Sequence, residues 1–388
     1  MARLLFITDF TEQFAYRLLA GIIDYSVDSG QQWIVCKMPP AYKRQLGLHG
    51  VLDWAIQWGA DVIIAQFDDD DDVSIFREHG IVALAQDYRH RFSQIPNITG
   101  DYITTGKIAA DLFISKGFKN FGFFGYNKVC WSDERCEGFR NRLEEVEKSY
   151  FFSEYDGQNI DNLWYYESSG LKQWLLSLPK PVAIMACDDN QANILLEACN
   201  SCGLKLPDEV AVIGVDNDEI LCNLSNPTLS SIDVDISKGG YEAAEMAMKM
   251  LADKDYKGKD IVLEPLGIVN RLSTSVFATK DKLVLKALLF IHQNIEHKIN
   301  VDDVLEVVPM SRRLLEMRFK KEVGETVYSY ISRTRIEHFA HLLLTTNDSI
   351  TDIVISMEEE DSRSISRRFK ELKGITPSKY REQELRKM

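Results

Sequence analysis

Two strings decide how this chain reads: Ser311-Arg312-Arg313-Leu314-Leu315-Glu316-Met317-Arg318-Phe319-Lys320 and Ser362-Arg363-Ser364-Ile365-Ser366-Arg367-Arg368-Phe369-Lys370. Each sets two apolar side chains one helical turn apart, Leu315 with Phe319 and Ile365 with Phe369, in a polar and basic stretch. That spacing predicts a helix with a narrow inward stripe and a charged outer face. A shorter amphipathic helix precedes each. The first starts at the Asn300 cap, turns Val301, Val304, Leu305 and Val308 inward and stops at Pro309; after the Pro309-Met310 turn, Ser311 caps the next helix. The second starts at Asp348-Ser349, turns Ile350, Ile353, Val354 and Met357 inward, and resumes at Ser362 after residues 358–361. A connecting helix of about 17 residues, some 25 Å long, carries Ile331, Arg335, Phe339, Leu342 and Leu343 on its long face. The pattern predicts two helix-turn-helix units in tandem. In the first, Ser311, Arg312, Arg313, Glu316, Met317 and Lys320 face outward, as a helix entering a DNA major groove requires, since arginine can make paired bonds to a guanine edge.

Ser311-x3-Leu315-x3-Phe319-Lys320-x3-Gly324, with Ile350-Thr351-Asp352-Ile353, Ser366-Arg367-x-Phe369-Lys370 and Gly374-Ile375-Thr376-Pro377-Ser378-x-Tyr380-Arg381, resembles the AraC/XylS-type DNA-binding domain. The resemblance covers roughly the last hundred residues and implies double-stranded operator DNA as a partner. One departure concerns the second turn, where such domains carry a glycine and an aromatic and this chain has Glu358 and Glu359, followed by Glu360 and Asp361. Carboxylates complement a helix N-terminus but repel a phosphate backbone. The two units are therefore expected to be unequal: Arg312 and Arg313 supply most base readout, whereas Arg363, Arg367 and Lys370 make mainly backbone contacts.

The chain has 388 residues, enough for two or three domains. Its net charge of −14 is uneven: residues 278–388 hold 20 Lys and Arg against 18 Asp and Glu, a balance of +2, and the rest carries −16. The C-terminal part can bind DNA only by gathering its cations on one face. Seven scattered cysteines fit reduced thiols rather than a disulfide framework. Cys199-x2-Cys202 reads as a helix end with Gly203 as the stop, not as a metal or redox pair. No stretch reaches the apolar length of a membrane helix, and Met1-Ala2-Arg3 runs into an apolar strand without a cleavable signal pattern. The expectation is a cytoplasmic protein with no membrane partner.

Upstream, short apolar runs alternate with helical patterns: strands near 4–7, 33–37, 62–65, 81–85, 121–124, 183–186 and 210–214, with helices near 12–26, 50–59, 73–79, 103–116, 133–148 and 190–202. The alternation predicts parallel sheets covered on both faces, wound into two lobes of comparable size. Asp101 is expected to cap the helix after it. Asp68 to Asp72 reads as a solvated acidic loop capping the next helix rather than a cation site. Residues 273–281 lack an apolar period and read as a linker, so the domains run 1–275 and 276–388.

Phe121-Gly122-Phe123-Phe124-Gly125, Arg135-Cys136-Glu137-Gly138-Phe139, Ala186-Cys187-Asp188-Asp189, residues 206–217 and Leu229-Ser230-Ser231-Ile232 resemble the periplasmic-binding-protein-like sensor of LacI-type repressors. Those repressors carry their DNA-binding head at the N-terminus, whereas this sensor is followed by the AraC-type domain. That order is similar to the bacterial xylose operon regulator family. The expected fold is thus an α/β two-lobed periplasmic-binding-protein-like sensor plus an all-α tandem helix-turn-helix domain.

In two-lobed α/β proteins ligands lie outside the carboxyl ends of the strands, which picks out Thr8-Asp9, Cys187-Asp188 and Val215-Asp216-Asn217. Carboxylates and amides beside an arginine suit the vicinal hydroxyls of a sugar. The resemblance carries Arg135, Asp188 and Asp216 onto ligand positions, with Asn217 and Asp9 beside them; Trp131, an aromatic in a loop, can stack on a pyranose face. Asp189 is expected to cap its helix. The chain departs from the LacI-type pattern at Val234, where many such sensors have a glutamine, with Asp233 adjacent; this leaves the sugar's identity open. The resemblance implies a small sugar effector, a pentose such as D-xylose, a homodimer formed through the sensor, and RNA polymerase as a partner if the chain activates. No cofactor, metal or catalytic residue is expected. The alternative, a two-lobed sugar-acting enzyme with a helical appendage, would need a nucleophile with its base, and His49, His79, His90, His292, His297, His338 and His341 all lie away from the expected strand ends.

Overall fold

The computed structural model describes residues 1–8, 13–155, 168–275, 279, 281–295, 297–346, 348–358 and 362–387. Two compact units divide the chain, Met1–Leu112 with Asn120–Ser275, and Phe113–Lys119 with Val276–Met388. The first unit opens with β1 (Ala2–Ile7), α1 (Gln13–Ser29), β2 (Trp33–Met38), α2 (Pro40–Trp58), β3 (Val62–Ala65), α3 (Ser74–Glu78), β4 (Val82–Gln86) and β5 (Asn97–Gly100). After α4 (Tyr102–Ser115) come β6 (Asn120–Phe124), α5 (Cys130–Val146), β7 (Phe151–Glu154), α6 (Ser168–Ser177), β8 (Val182–Ala186), α7 (Asp189–Ser201), β9 (Val210–Val215), α8 (Glu219–Leu224) and β10 (Ser230–Val234). The chain then runs through α9 (Ile236–Ala252), β11 (Ile261–Leu263) and β12 (Pro265–Val269).

These strands form two six-stranded sheets, ordered β11-β5-β4-β3-β1-β2 and β12-β10-β9-β8-β6-β7. Within each lobe the pairing is parallel, except that β12 runs antiparallel to β10. Parallel strands covered on both faces need continuous apolar runs, and Val-Ile-Ile-Ala in β3 and Val-Ala-Val-Ile-Gly-Val in β9 are buried at every position. Because β11 rejoins the first sheet and β12 the second, each lobe contains chain from both ends of the unit. Asp101 caps α4, accepting from Thr104 N at 3.0 Å, and Cys202 ends α7 beside Gly203 at φ 70°.

Three expectations need correction. The stretch 273–281 is not a linker from its first residue: Ser273 is wholly buried, donates to Val212 O at 2.6 Å and accepts from Ser230 N at 2.8 Å. Its small polar side chain looks linker-like in sequence yet satisfies backbone groups of β9 and β10. Asp281 closes the same stretch as the cap of the next helix; residues 276–278 and 280 lie outside the described residues. The acidic run is not simply solvated, because the buried Lys43 ammonium lies 2.6 Å from Asp68 and 2.5 Å from Asp71, while Asp72 accepts from Ser74 N at the start of α3. Trp131 sits in the first turn of α5, not in a loop.

The second unit is helical: α10 (Lys282–Gln293), α11 (Val301–Val307), α12 (Arg312–Val323), α13 (Val327–Thr345), α14 (Ile350–Ser356), α15 (Ser362–Lys373) and α16 (Pro377–Lys387). Asn300 and Asp303 form a capping box on α11, and Ser311 caps α12. Two separate apolar cores result, one around Val304, Leu315, Phe319 and Tyr330, the other around Ile353, Ile365, Phe369 and Phe339. Leu315, Phe319, Gly324 and Tyr330 recur 50 residues on as Ile365, Phe369, Gly374 and Tyr380, so the units are built to one plan. The connecting α13 has 19 residues, about 28 Å at the helical rise.

In the first unit, α4 and α5 cross at Gly106 and Gly138, where a Cβ would stand 2.2 Å from Arg135 O and 2.1 Å from Ile103 O. No side chain fits there. Gly138→Ala is expected to force the helices apart and lower the unfolding free energy by about 1–3 kcal/mol, read as a lower urea midpoint; an unchanged midpoint would show that the crossing yields without cost.

Candidate functional site

The carboxyl ends of both sheets converge on α5. The α4–α5 crossing sets Arg135 against Tyr102, whose ring centroid is 5.0 Å from the guanidinium carbon; the Trp131 ring centroid lies at 5.5 Å. Arg135 is 5% exposed, so its charge needs partners. It donates Nη1 to Cys187 O at the end of β8, at 2.5 Å, and Nη2 to Asp216 Oδ1 after β9, at 3.2 Å. Its Nε is buried without a hydrogen-bond partner. Burial works against the Arg135 charge, but the Asp216 carboxylate, with smaller contributions from Tyr102, Cys187 and Asp188, holds its pKa above the ordinary value. An arginine, two carboxylates and two aromatic faces suit a polyhydroxyl ligand, accepting from its hydroxyls and donating to their oxygens.

The structure corrects the roles of the two adjacent aspartates. Asp188, not Asp189, caps α7, accepting from Gln191 N at 2.7 Å. Burial is the largest influence on its carboxyl; the Gln191 N–H pulls the other way, and the pKa is pushed up to about 6. Asp189 turns inward, accepting from Ser231 Oγ at 2.7 Å and Asp218 N at 2.8 Å. It thereby ties down residues 216–218, where Asp216 and Asn217 both take left-handed backbones at φ 92° and 50°. Asn217 does not join Arg135: its Oδ1 accepts from Arg271 at 2.9 Å. Asp9 lies outside the described residues.

Sequence reasoning missed several groups here. Asp87, directly after β4, accepts from Thr99 and Tyr102 hydroxyls at 2.6 and 2.9 Å, and burial raises its pKa. The strand-end rule that picks out residues after β1, β8 and β9 finds Asp87 once it is extended to β4. Two arginines of the first lobe grip carboxylates of the second. Arg91 makes a two-pronged pair with Glu134 at 2.7 and 2.8 Å. Arg17 on α1 donates to Asp233 at 2.9 Å, and to the Asp216 and Val234 carbonyls at 2.8 Å each. Asp216 is therefore held at its side chain by Arg135 and at its backbone by Arg17. No sequence signal marks Arg17, whose partners lie at positions 216, 233 and 234.

In the helical unit Arg312, Arg313, Met317 and Lys320 are exposed along α12, with Ser311 at its cap; Arg363, Arg367 and Lys370 are exposed along α15. Arg312 also pairs with Asp302 at 3.3 Å. Glu316 does not face outward freely: it is half-buried and accepts from Val327 N at 3.2 Å. Glu358 takes a left-handed φ of 56°, the conformation that favours glycine. Its carboxylate turns to His297 Nδ1 at 3.0 Å and Lys298 N at 3.3 Å rather than standing unpaired before α15. Residues 359–361 lie outside the described residues. Among the described residues no cluster of three His, Cys, Asp or Glu can hold a metal, and no helix is long and apolar enough to cross a membrane.

Residues 110–274 match the periplasmic binding protein-like domain family and residues 305–383 a helix-turn-helix domain family. The chain is 30% identical over 334 residues to the xylose operon regulatory protein of Haemophilus influenzae, covering 84% of this chain and 86% of that protein. It is likewise 30% identical over 343 residues to the protein of that name from Escherichia coli K12, covering 85% and 86%. The solved structure of the xylose-binding transcription activator xylR superposes with a TM-score of 0.59 at 26% identity, over 98% of this chain and 97% of that one.

The raised Asp188 pKa has a consequence for stability. Its folded-state value of about 6 lies above the ordinary 3.8 of an unburied aspartate, so folding takes up a proton between about pH 4 and 6 and the native state loses stability as pH rises through that window. Asp188→Asn keeps the cap and removes this dependence; it is expected to raise unfolding free energy at pH 7 by about 1–3 kcal/mol, with wild type and variant converging below about pH 4 in denaturant titrations.

Proposed function

This chain belongs to the xylose operon regulatory protein family, and from that premise we propose that its effector is a pentose of the D-xylose type, bound by Arg135, Asp188 and Asp216 between the lobes. Like its relatives, the chain is a sugar-responsive, DNA-binding transcriptional regulator and not an enzyme. The convergence of Arg135, Asp216 and the Tyr102 and Trp131 rings supports the pentose site. A pentose offers ring hydroxyls to the carboxylates and an apolar face to an aromatic ring. We assign the protein to the cytoplasm, where operator DNA lies, and propose a homodimer presenting two helical units, with RNA polymerase as a further partner where it activates.

Sugar binding acts by differential affinity for lobe arrangements, because a ligand that binds both equally shifts nothing. Calorimetric titration with D-xylose, other pentoses and hexoses tests the assignment. A pentose is expected to bind without turnover, and Arg135→Ala to weaken it by about 1.5–3 kcal/mol through loss of charge-assisted bonds. Binding of hexoses alone, or unchanged affinity in the variant, would remove the pentose site.

In DNA recognition, Ser311, Arg312, Arg313, Met317 and Lys320 on α12 contact the DNA, with Arg312 and Arg313 supplying most base readout, and Arg363, Arg367 and Lys370 on α15 chiefly hold the phosphate backbone. Arg313→Ala should cost about 1–3 kcal/mol and relax preference at one base pair, whereas Arg367→Ala should weaken all sequences alike and flatten the salt dependence. Base-by-base binding profiles of both variants decide the ranking; the reverse pattern would invert it.

A further inference from the structure

The two apolar cores of the helical unit stop short of each other along α13: Tyr330 and Ile331 belong to the first, Ile336 and Phe339 to the second. Between them lie two buried polar residues, Thr334 and Arg335. Thr334 turns back on its own helix, its hydroxyl donating to Tyr330 O at 2.8 Å. Arg335, 2% exposed, reaches outward instead. It donates Nη1 to Ile295 O at 3.1 Å and Nη2 to Met357 O at 2.6 Å. Ile295 follows α10, just ahead of the first helix-turn-helix, and Met357 ends α14 in the turn of the second. One guanidinium fork thus bonds the backbones of both halves, a geometry that lysine could not reproduce.

A second contact runs alongside. Glu358 folds its carboxylate back onto His297 and the Lys298 N–H, close after Ile295 in the chain. Apolar contacts between helices tolerate sliding, whereas hydrogen bonds weaken steeply off axis. Two sets of directional bonds between the halves therefore set an angle as well as a distance.

We propose that Arg335 and Glu358 are positioning residues for DNA recognition: they fix the separation of α12 and α15, so that the protein accepts one spacing between the two subsites of its operator. The proposal rests on both helix-turn-helix units engaging DNA. The connecting α13, about 28 Å long, spans a length comparable with one turn of the DNA helix.

The test is hydroxyl-radical footprinting and affinity measurement of the full chain on a DNA site selected from a random-sequence pool, because footprinting registers backbone contact whether or not bases are read. Wild type is expected to protect two backbone segments per protomer at a single separation. Arg335→Met, which keeps bulk but removes the fork, should blur or shift that separation and bind the same DNA about tenfold or more weakly, as rigid coupling of two sites is lost. Glu358→Gly relieves the left-handed backbone, so it keeps the fold while removing the carboxylate, and should also blur the separation. Unfolding midpoints accompany each variant; if Arg335→Met does not fold, Glu358→Gly decides. An unchanged sharp separation in the folded variants overturns the proposal with two-unit DNA engagement intact. One protected segment per protomer from wild type would overturn both.

Discussion

A guanidinium shut away from water at Arg135 is the constraint to which the sensor conforms. Its charge is tolerable only if acceptors arrive from separate elements: the Cys187 carbonyl from β8 and the Asp216 carboxylate from the turn after β9. Each arrival has its own cause. Gly106 and Gly138 let α5 approach α4, and Asp189, buried beneath the turn, bonds Asp218 N so that Asp216 stands where Arg135 can reach it. Gly214 is part of this, since a Cβ there would lie 2.1 Å from the Asp189 carboxylate. The motif residues around Arg135 are thus one packing solution.

The lobes meet through charge as well as through connecting chain. Arg17 and Arg91 project from the first lobe onto Asp233 and Glu134 of the second. These pairs are partly exposed, so each contributes modestly and is screened by salt. An arrangement held by small, separable terms can be shifted by a ligand of ordinary affinity, which a switch requires. Arg17 also bonds the carbonyl of Asp216, linking the lobe contact to the proposed effector site.

Much of this architecture was legible in the sequence because burial on both faces leaves unbroken apolar runs, as in β3 and β9, and because Leu315, Phe319, Ile365 and Phe369 keep helical period. Other elements carry weaker marks. β7 is an edge strand with exposed ends, α6 is short, and β11 has three residues, so neither run length nor period announces them. The polar character of Ser273 and its neighbours reads as a linker and hides where α10 begins. At the site, strand-end position finds Asp188 and Asp216 but exchanges the duties of Asp188 and Asp189, because either could cap a helix and only the Ser231 hydroxyl and the Asp218 N–H decide which turns inward. Contacts such as Arg17 with Asp233 depend on the lobe arrangement, which local pattern does not encode.

The crossing of the chain between lobes also orders events in time. The first sheet has β11, residues 261–263, at one edge, and the second has β12, residues 265–269, as its antiparallel edge. During synthesis neither sheet can acquire its last strand until almost all of the sensor has been made. Both lobes are then completed within a few residues of each other, immediately before the helical unit begins to emerge. A growing chain therefore finishes its sensor before its helix-turn-helix units are made.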